Sequence, residues 1–204
     1  AQYLYPYPNF QTLQDNIRFF RDHNVCGVFE QGNYNEGLSG EFGELRAYLL
    51  ANLLWNPEFD VESGTESFLN AYYGGGAPYV RQYLTFIRDK VRDVHFNLVI
   101  SAAALWNDLI SDEELTMLDR LWADAYRAAR EGGDVPEGIS SALCAAHVER
   151  SGLCHRWFQL DAKRGEFSYP ARFDALCDLF YRDCHRLGVT RLTEGANVPW
   201  VEAQ

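Results

Sequence analysis

Apolar residues recur at helical spacing along most of the chain, and one short run breaks the pattern. Leu13, Ile17 and Phe20 repeat every three to four positions, which predicts a helix from Thr12, its cap, to Asp22, closed by His23 and Asn24. Val25 to Phe29 is too short and too rich in β-branched and aromatic residues for another helix, so residues 25–30 read as a strand. Residues 32–40 form a glycine-rich loop, with Ser39 or Gly40 as a cap. A helix over about 41–55 follows, with Leu45, Leu49, Leu53 and Leu54 as its buried stripe and Asn56-Pro57 as its end. Glu41 and Glu44 fall in its first turn, where the helix dipole favours negative charge.

Beyond Pro57 the pattern is helical throughout. Residues 62–73 form a helix stopped by Gly74-Gly75-Gly76, and residues 77–93 form another, with the face Val80, Leu84, Ile87 and Val91. Residues 95–109 are apolar and poorly punctuated. Ser111 and Glu114 have the spacing of a capping box ahead of Leu115, Leu118, Leu121, Trp122 and Ala125. Helices over 140–164 and 170–187 follow, the latter with the face Phe173, Leu176, Leu179, Phe180 and Cys184, and Val189 to Leu192 is a short strand-like tail. The expected class is mainly α, in two parts: a strand-helix unit over 1–57 and a helical domain over 58–204.

Composition narrows the class of partner. The 204 residues are 47% hydrophobic and 15% aromatic, ample for a core. Twenty-nine acidic against 18 basic side chains give a net charge of -11, the wrong sign for gripping a phosphate backbone, so nucleic acid is not expected. A neutral substrate fits such a surface. No apolar run approaches the roughly 20 residues of a membrane helix, and no membrane partner is expected. The chain opens inside a Tyr/Pro-rich loop with no initiator Met, which reads as the start of a fragment.

Five cysteines match no disulfide framework, and Cys144, Cys177 and Cys184 lie in helical segments where a free thiol is usually a small buried hydrophobe. The competing reading is a metal site drawn from Cys144, His147, Cys154, His155, Cys184 and His185. It lacks a tight Cys-x-x-Cys pair, and no metal is expected. Nor is a cofactor: no phosphate-binding glycine loop and no dinucleotide fingerprint is present. Carboxylate chemistry or plain binding is left. Glu30 is the candidate, because a carboxylate where a strand meets a loop faces the active-site mouth in α/β barrels; bonding to nearby backbone N–H groups is its structural alternative. Gln31, Asn33 and Tyr34 extend that rim with groups suited to hydroxyls. Tyr5 and Tyr7, with Tyr3 and Phe10, offer aromatic platforms for sugar rings, or packing surfaces.

Four stretches then resemble a bacterial enzyme family: Asn16-Ile17-Arg18-Phe19-Phe20, Gly27-Val28-Phe29-Glu30-Gln31-Gly32, Gly40-Glu41-Phe42-Gly43-Glu44-Leu45-Arg46 and Phe68-Leu69-Asn70-Ala71-Tyr72-Tyr73-Gly74. Residues 163–167 and 187–195 extend the likeness. The family is glycoside hydrolase family 163, long labelled a domain of unknown function. The resemblance implies an endo-β-N-acetylglucosaminidase acting on N-glycans, built as a (β/α)8 barrel with a helical region behind it. On that map residues 26–30 are the eighth strand, 41–55 the eighth helix, and 58–204 the appended region. The parent protein is then expected to be secreted, periplasmic or on a bacterial cell surface.

The seven earlier strands have no counterpart in this chain. Glycoside cleavage needs an acid and a second carboxylate or substrate group, and the acid is expected on an earlier strand. Glu30 is therefore a substrate-contacting residue with only a slender claim to catalysis, and the chain alone is expected to be inactive. The alternative is a non-catalytic helical module. Either way, the face of Leu13, Ile17, Phe20 and Val28 is expected to need cover from the missing barrel segment or from a second chain.

Overall fold

A computed structural model describes residues 4, 6–30, 40–94, 109–132, 135, 137–162, 170–193 and 196–200. The protein is mainly α. Its helices are α1 (Leu13–Asp22), α2 (Gly43–Trp55), α3 (Val61–Tyr73), α4 (Ala77–Val91), α5 (Asp112–Glu131), α6 (Ser141–Ala162) and α7 (Pro170–Arg186). A small antiparallel hairpin, β1 (Arg191–Thr193) with β2 (Ala196–Asn197), follows α7, where the sequence predicts one short strand. Residues 95–108 and 163–167, like Tyr3, Tyr5, Gln31, Asn33 and Tyr34, lie outside the described residues.

Helix ends follow their local chemistry where the signal is short-range. Ser111 Oγ accepts from Glu114 N while the Glu114 carboxylate accepts from Ser111 N, so the capping box forms as its spacing predicts. Thr12 does not cap α1. Its hydroxyl donates instead to Asn9 O at 2.9 Å, closing a 3-10 turn over Phe10–Thr12 that leads into the helix. The Asn56-Pro57 turn ends α2 and is pinned to α1, since Gln14 Nε2 donates to Pro57 O and Phe59 O, and Arg18 and Arg21 both reach Glu58.

The main core unites α1 through α6. Leu13, Ile17, Leu45, Leu49, Leu53, Leu69, Val80, Leu118 and Val148 are all buried in one cluster, continuous across residue 57. Leu13 and Ile17 therefore find cover within the chain and Phe20 packs beside them, whereas Val28, the fourth residue of that face, stays exposed. The physical reason for the cover is that α1 lies against α2, which buries its apolar stripe. Two helix faces are narrower than the repeat predicts: Leu54 on α2 and Leu176 and Leu179 on α7 are exposed, leaving Leu53, Phe180 and Cys184 to face inward. A second cluster joins Leu4 to Leu153, Cys154, Phe180, Cys184, Val189, Leu192 and Val198, so the N-terminal loop closes over the α6-α7 pair.

Val25 to Glu30 carries no strand hydrogen bonds among the described residues. All six residues are exposed, Phe29 at 89%. A strand exists through its neighbour, and local propensity alone does not hold one.

The triple glycine turns the chain from α3 into α4 through a 3-10 turn, and it does so against the backbone of α5. A Cβ on Gly75 would stand 2.5 Å from Ala128 O and 2.8 Å from Gly132 O, and one on Gly76 would stand 2.9 Å from Ala125 O. Backbone oxygens in a helix cannot retreat as a flexible side chain can. Gly75→Ala is accordingly expected to destabilise the fold by about 3 kcal/mol in chemical denaturation. Gly27→Ala, where nothing lies within 4 Å, is expected to change stability by less than about 0.5 kcal/mol. Equal stability of the two variants would refute the close-approach account.

Candidate functional site

The loop before α2 reverses sharply because Phe42 adopts the left-handed conformation, with φ 48° and ψ 38°. That is costly for a residue with a large side chain, and burial of the ring offsets the cost. Phe42 is 3% exposed and packs near Tyr73, Tyr83 and Trp122, with ring centroids 5.8 to 6.5 Å away. The reversal starts α2 at Gly43 and turns Glu41, by its spacing a first-turn residue, into the interior.

Glu41 is 5% exposed, and its Oε2 accepts from Tyr7 N at 3.1 Å. Arg46, one turn into α2 and also buried, donates from Nη2 to Tyr7 O at 2.8 Å, from Nη1 to Glu41 O at 3.1 Å and from Nε to Asn9 Oδ1 at 3.2 Å. Its guanidinium lies over the rings of Phe10 and Tyr7, 4.7 and 5.5 Å from their centroids. One carboxyl and one guanidinium thus clamp the Tyr/Pro loop onto α2. Burial pushes the Glu41 carboxyl up to about 7, an effect that the Arg46 charge and the Tyr7 N–H only partly oppose. A carboxyl that titrates near neutrality beside a cavity has the signature of a functional group.

That cavity, about 120 Å3, opens between the N-terminal loop, α3 and α4. Phe10, Leu45, Val61, Leu84 and Ile87 supply its apolar wall, and Glu41, Gln11, Glu62, Thr65, Thr85, Arg81 and Arg88 its polar lining. A larger groove, about 840 Å3, runs between α4 and α5 over Phe86, Met117 and Leu121. Its charged groups include Arg81 and Asp124, already paired with Glu66 and Arg127, so it offers less chemistry than the smaller cavity.

The residues predicted from sequence fare unevenly. Glu30 is exposed at the end of the unpaired run, and Tyr7 is 47% exposed, held by its backbone on Glu41 and Arg46. Gln31, Asn33, Tyr34 and Tyr5 fall outside the described residues. Sequence spacing does not reveal Glu41 and Arg46 as a pair, because their shared partner, Tyr7, lies 34 and 39 positions away. The Pro6-Tyr7-Pro8 geometry, which leaves the Tyr7 backbone N–H and C=O unused by any helix, is the one sequence signal that could have pointed to them.

Among the described residues, no group of three or more His, Cys, Asp or Glu side chains is arranged to hold a metal. The histidines have separate attachments. His147 stacks on Tyr72 with centroids 3.7 Å apart and bonds Tyr72 O through Nδ1, His155 Nε2 meets Asp119 Oδ1 at 3.0 Å, and His185 Nε2 meets Pro199 O at 2.9 Å. Burial pushes the Cys184 thiol up to about 12 and raises Cys144 and Cys154 as well, the behaviour of packed thiols. Glu44 pairs with Arg150 across α2 and α6 at 2.8 Å, and Arg150 also bonds the Tyr72 hydroxyl.

Residues 1–85 match the family described as a domain of unknown function, DUF4838. The match covers the clamp and Glu30 and ends within α4. No curated protein and no solved structure matches the chain. Among the described residues, no helix is long and apolar enough to cross a membrane.

Because the folded state holds the Glu41 proton more tightly than the unfolded chain, its contribution to stability is complete below pH 4.5 and is lost as pH rises to about 7. Wild type is expected to lose about 3 kcal/mol over that interval relative to Glu41→Gln, which cannot titrate. Urea denaturation of both proteins at pH 5 and pH 8 measures the difference. Parallel pH profiles would show that Glu41 ionises without destabilising the fold.

Proposed function

We propose that the chain is the C-terminal portion of a glycoside hydrolase that cleaves β-linked N-acetylglucosamine in N-glycans, with residues 1–57 as the last strand-helix unit of a (β/α)8 barrel. The observation that carries this reading is the likeness of four stretches, over residues 16–20, 27–32, 40–46 and 68–74, to glycoside hydrolase family 163. All four lie within the span that matches the domain of unknown function. Glu30, Gln31, Asn33 and Tyr34 supply one wall of the sugar site, with Tyr5 and Tyr7 as platforms, and the general acid comes from an earlier strand.

The exposed run Val25–Glu30 supports the same reading. Its apolar side chains fall on both faces of an extended chain, Val25 and Phe29 on one and Cys26 and Val28 on the other. Such a run belongs in a parallel sheet buried on both sides, and in this reading the rest of the barrel supplies it. The second reading, a helical module without catalysis, draws on the main core, which is already closed among α1 to α6. The two agree on the isolated chain, which is inert toward glycans.

In the protein that carries this sequence behind a complete barrel, release of N-glycans from a glycoprotein is the expected activity. Glu30→Gln is expected to lower it at least about tenfold, the worth of one hydrogen bond to a charged group. Unchanged kinetics in that variant would remove Glu30 from the sugar site. Intact glycans after incubation with wild type would leave the helical module as the better reading.

A further inference from the structure

The cavity beside Glu41 is closed to ions by its surroundings. Arg46 lies near the carboxyl and Arg81 and Arg88 line the cavity, which disfavours a cation. These two arginines are themselves engaged, Arg81 by Glu62 and Glu66 and Arg88 by Asp89, which leaves little of their charge for an anion. The apolar walls are the side chains of Phe10, Leu45, Val61, Leu84 and Ile87. An ion entering such a site would lose its hydration for little return.

Glu41 is the buried carboxyl on the cavity lining; of the other polar groups there, Glu62 is exposed and the Thr65 hydroxyl is spent on Val61 O, while Gln11 and Thr85 add further lining. Tyr7 N occupies one position on Oε2, and a carboxyl has room for more partners than that. In its protonated form a carboxyl presents a donor and an acceptor side by side. The complementary neutral group is one that also carries a donor and an acceptor side by side, as the N–H and C=O of a primary carboxamide do.

We propose that the cavity between the N-terminal loop, α3 and α4 is a binding site for a small neutral ligand bearing a primary carboxamide, whose amide pairs with the Glu41 carboxyl while its apolar body rests on Phe10, Leu45 and Ile87. The volume of about 120 Å3, well below that of a pocket for a drug-sized ligand, suits a group of a few heavy atoms. The other groups facing Glu41 do not compete for the proton near neutrality. Tyr83 on α4 and Cys154 on α6 are both pushed upward by burial, Arg46 stays charged, and Glu62 is exposed at the rim. The site goes beyond the glycosidase reading, and either can fail alone, since one is tested at Glu41 and the other at Glu30.

The test is a titration of the 15N-labelled chain with isobutyramide, followed at the Tyr7 amide, whose N–H sits on Glu41. Saturable shifts with a Kd on the order of 10 mM are expected for a ligand of so few atoms. N,N-dimethylisobutyramide, which has no N–H, is expected to bind at least about tenfold more weakly. The wild-type affinity is expected to fall about tenfold for each pH unit above 7, as the carboxyl loses its donor. Glu41→Gln, which keeps a donor and an acceptor side by side, is expected to retain binding without that fall, and it also serves as the folded control. Absence of a saturable shift, an equal response to the dimethyl amide, or a pH fall that persists in Glu41→Gln would each overturn the proposal.

Discussion

The fold rests on a place where side chains are absent. Gly75 and Gly76 let the α3-α4 corner touch the backbone of α5 at Ala125, Ala128 and Gly132, closer than any other residue permits. Small residues continue on the opposite surface, since Ala125 and Ala129 of α5 are fully buried there. Through this contact α4 lies along α5, and α6 closes over both, with Cys144 and Val148 against Gly74 and Gly76. The cavity beside Glu41 inherits its α4 wall from that corner. Widening the corner would move Leu84 and Ile87 away from the loop that faces them.

Local signals in this chain were legible and long-range ones were not. The Ser111 and Glu114 box, the stop at the triple glycine and the end of α2 at Pro57 each need only residues a few positions apart, and each forms as spacing predicts. Val25 to Glu30 shows the opposite. Its β-branched and aromatic residues favour a strand, but the hydrogen bonds that make one must come from another segment. Glu41 shows it again. Its place directly after Ser39 and Gly40 reads as an exposed first turn, and only the left-handed Phe42 and the distant Tyr7 turn it inward.

The same division applies to the ion pairs. Arg18 and Arg21 tie α1 to the turn at Glu58, Arg81 ties α4 to α3, Lys90 ties α4 to α5, Arg150 ties α6 to α2, and Arg156 and Arg186 tie α6 to α7. The exposed ones among them, such as Arg18 and Arg21 with Glu58, contribute little stability each, about 0 to 1 kcal/mol. A chain with 18 basic side chains against 29 acidic ones commits much of its positive charge in this way.

That use of cations bears on what the protein can recognise. Arg46 spends its donors on Tyr7 O, Asn9 Oδ1 and Glu41 O, and Arg81 and Arg88 are engaged by carboxylates, so the cationic donors near the site are largely committed. The surface beyond carries net negative charge, which repels anions at long range within about 8 to 10 Å of screening. Recognition at the proposed carboxamide site would therefore fall to hydrogen-bond geometry and apolar contact, which discriminate among neutral ligands by shape. The Tyr7 loop joins these two modes. Its backbone is fixed by the buried clamp, and its half-exposed ring is left to meet whatever approaches from solvent.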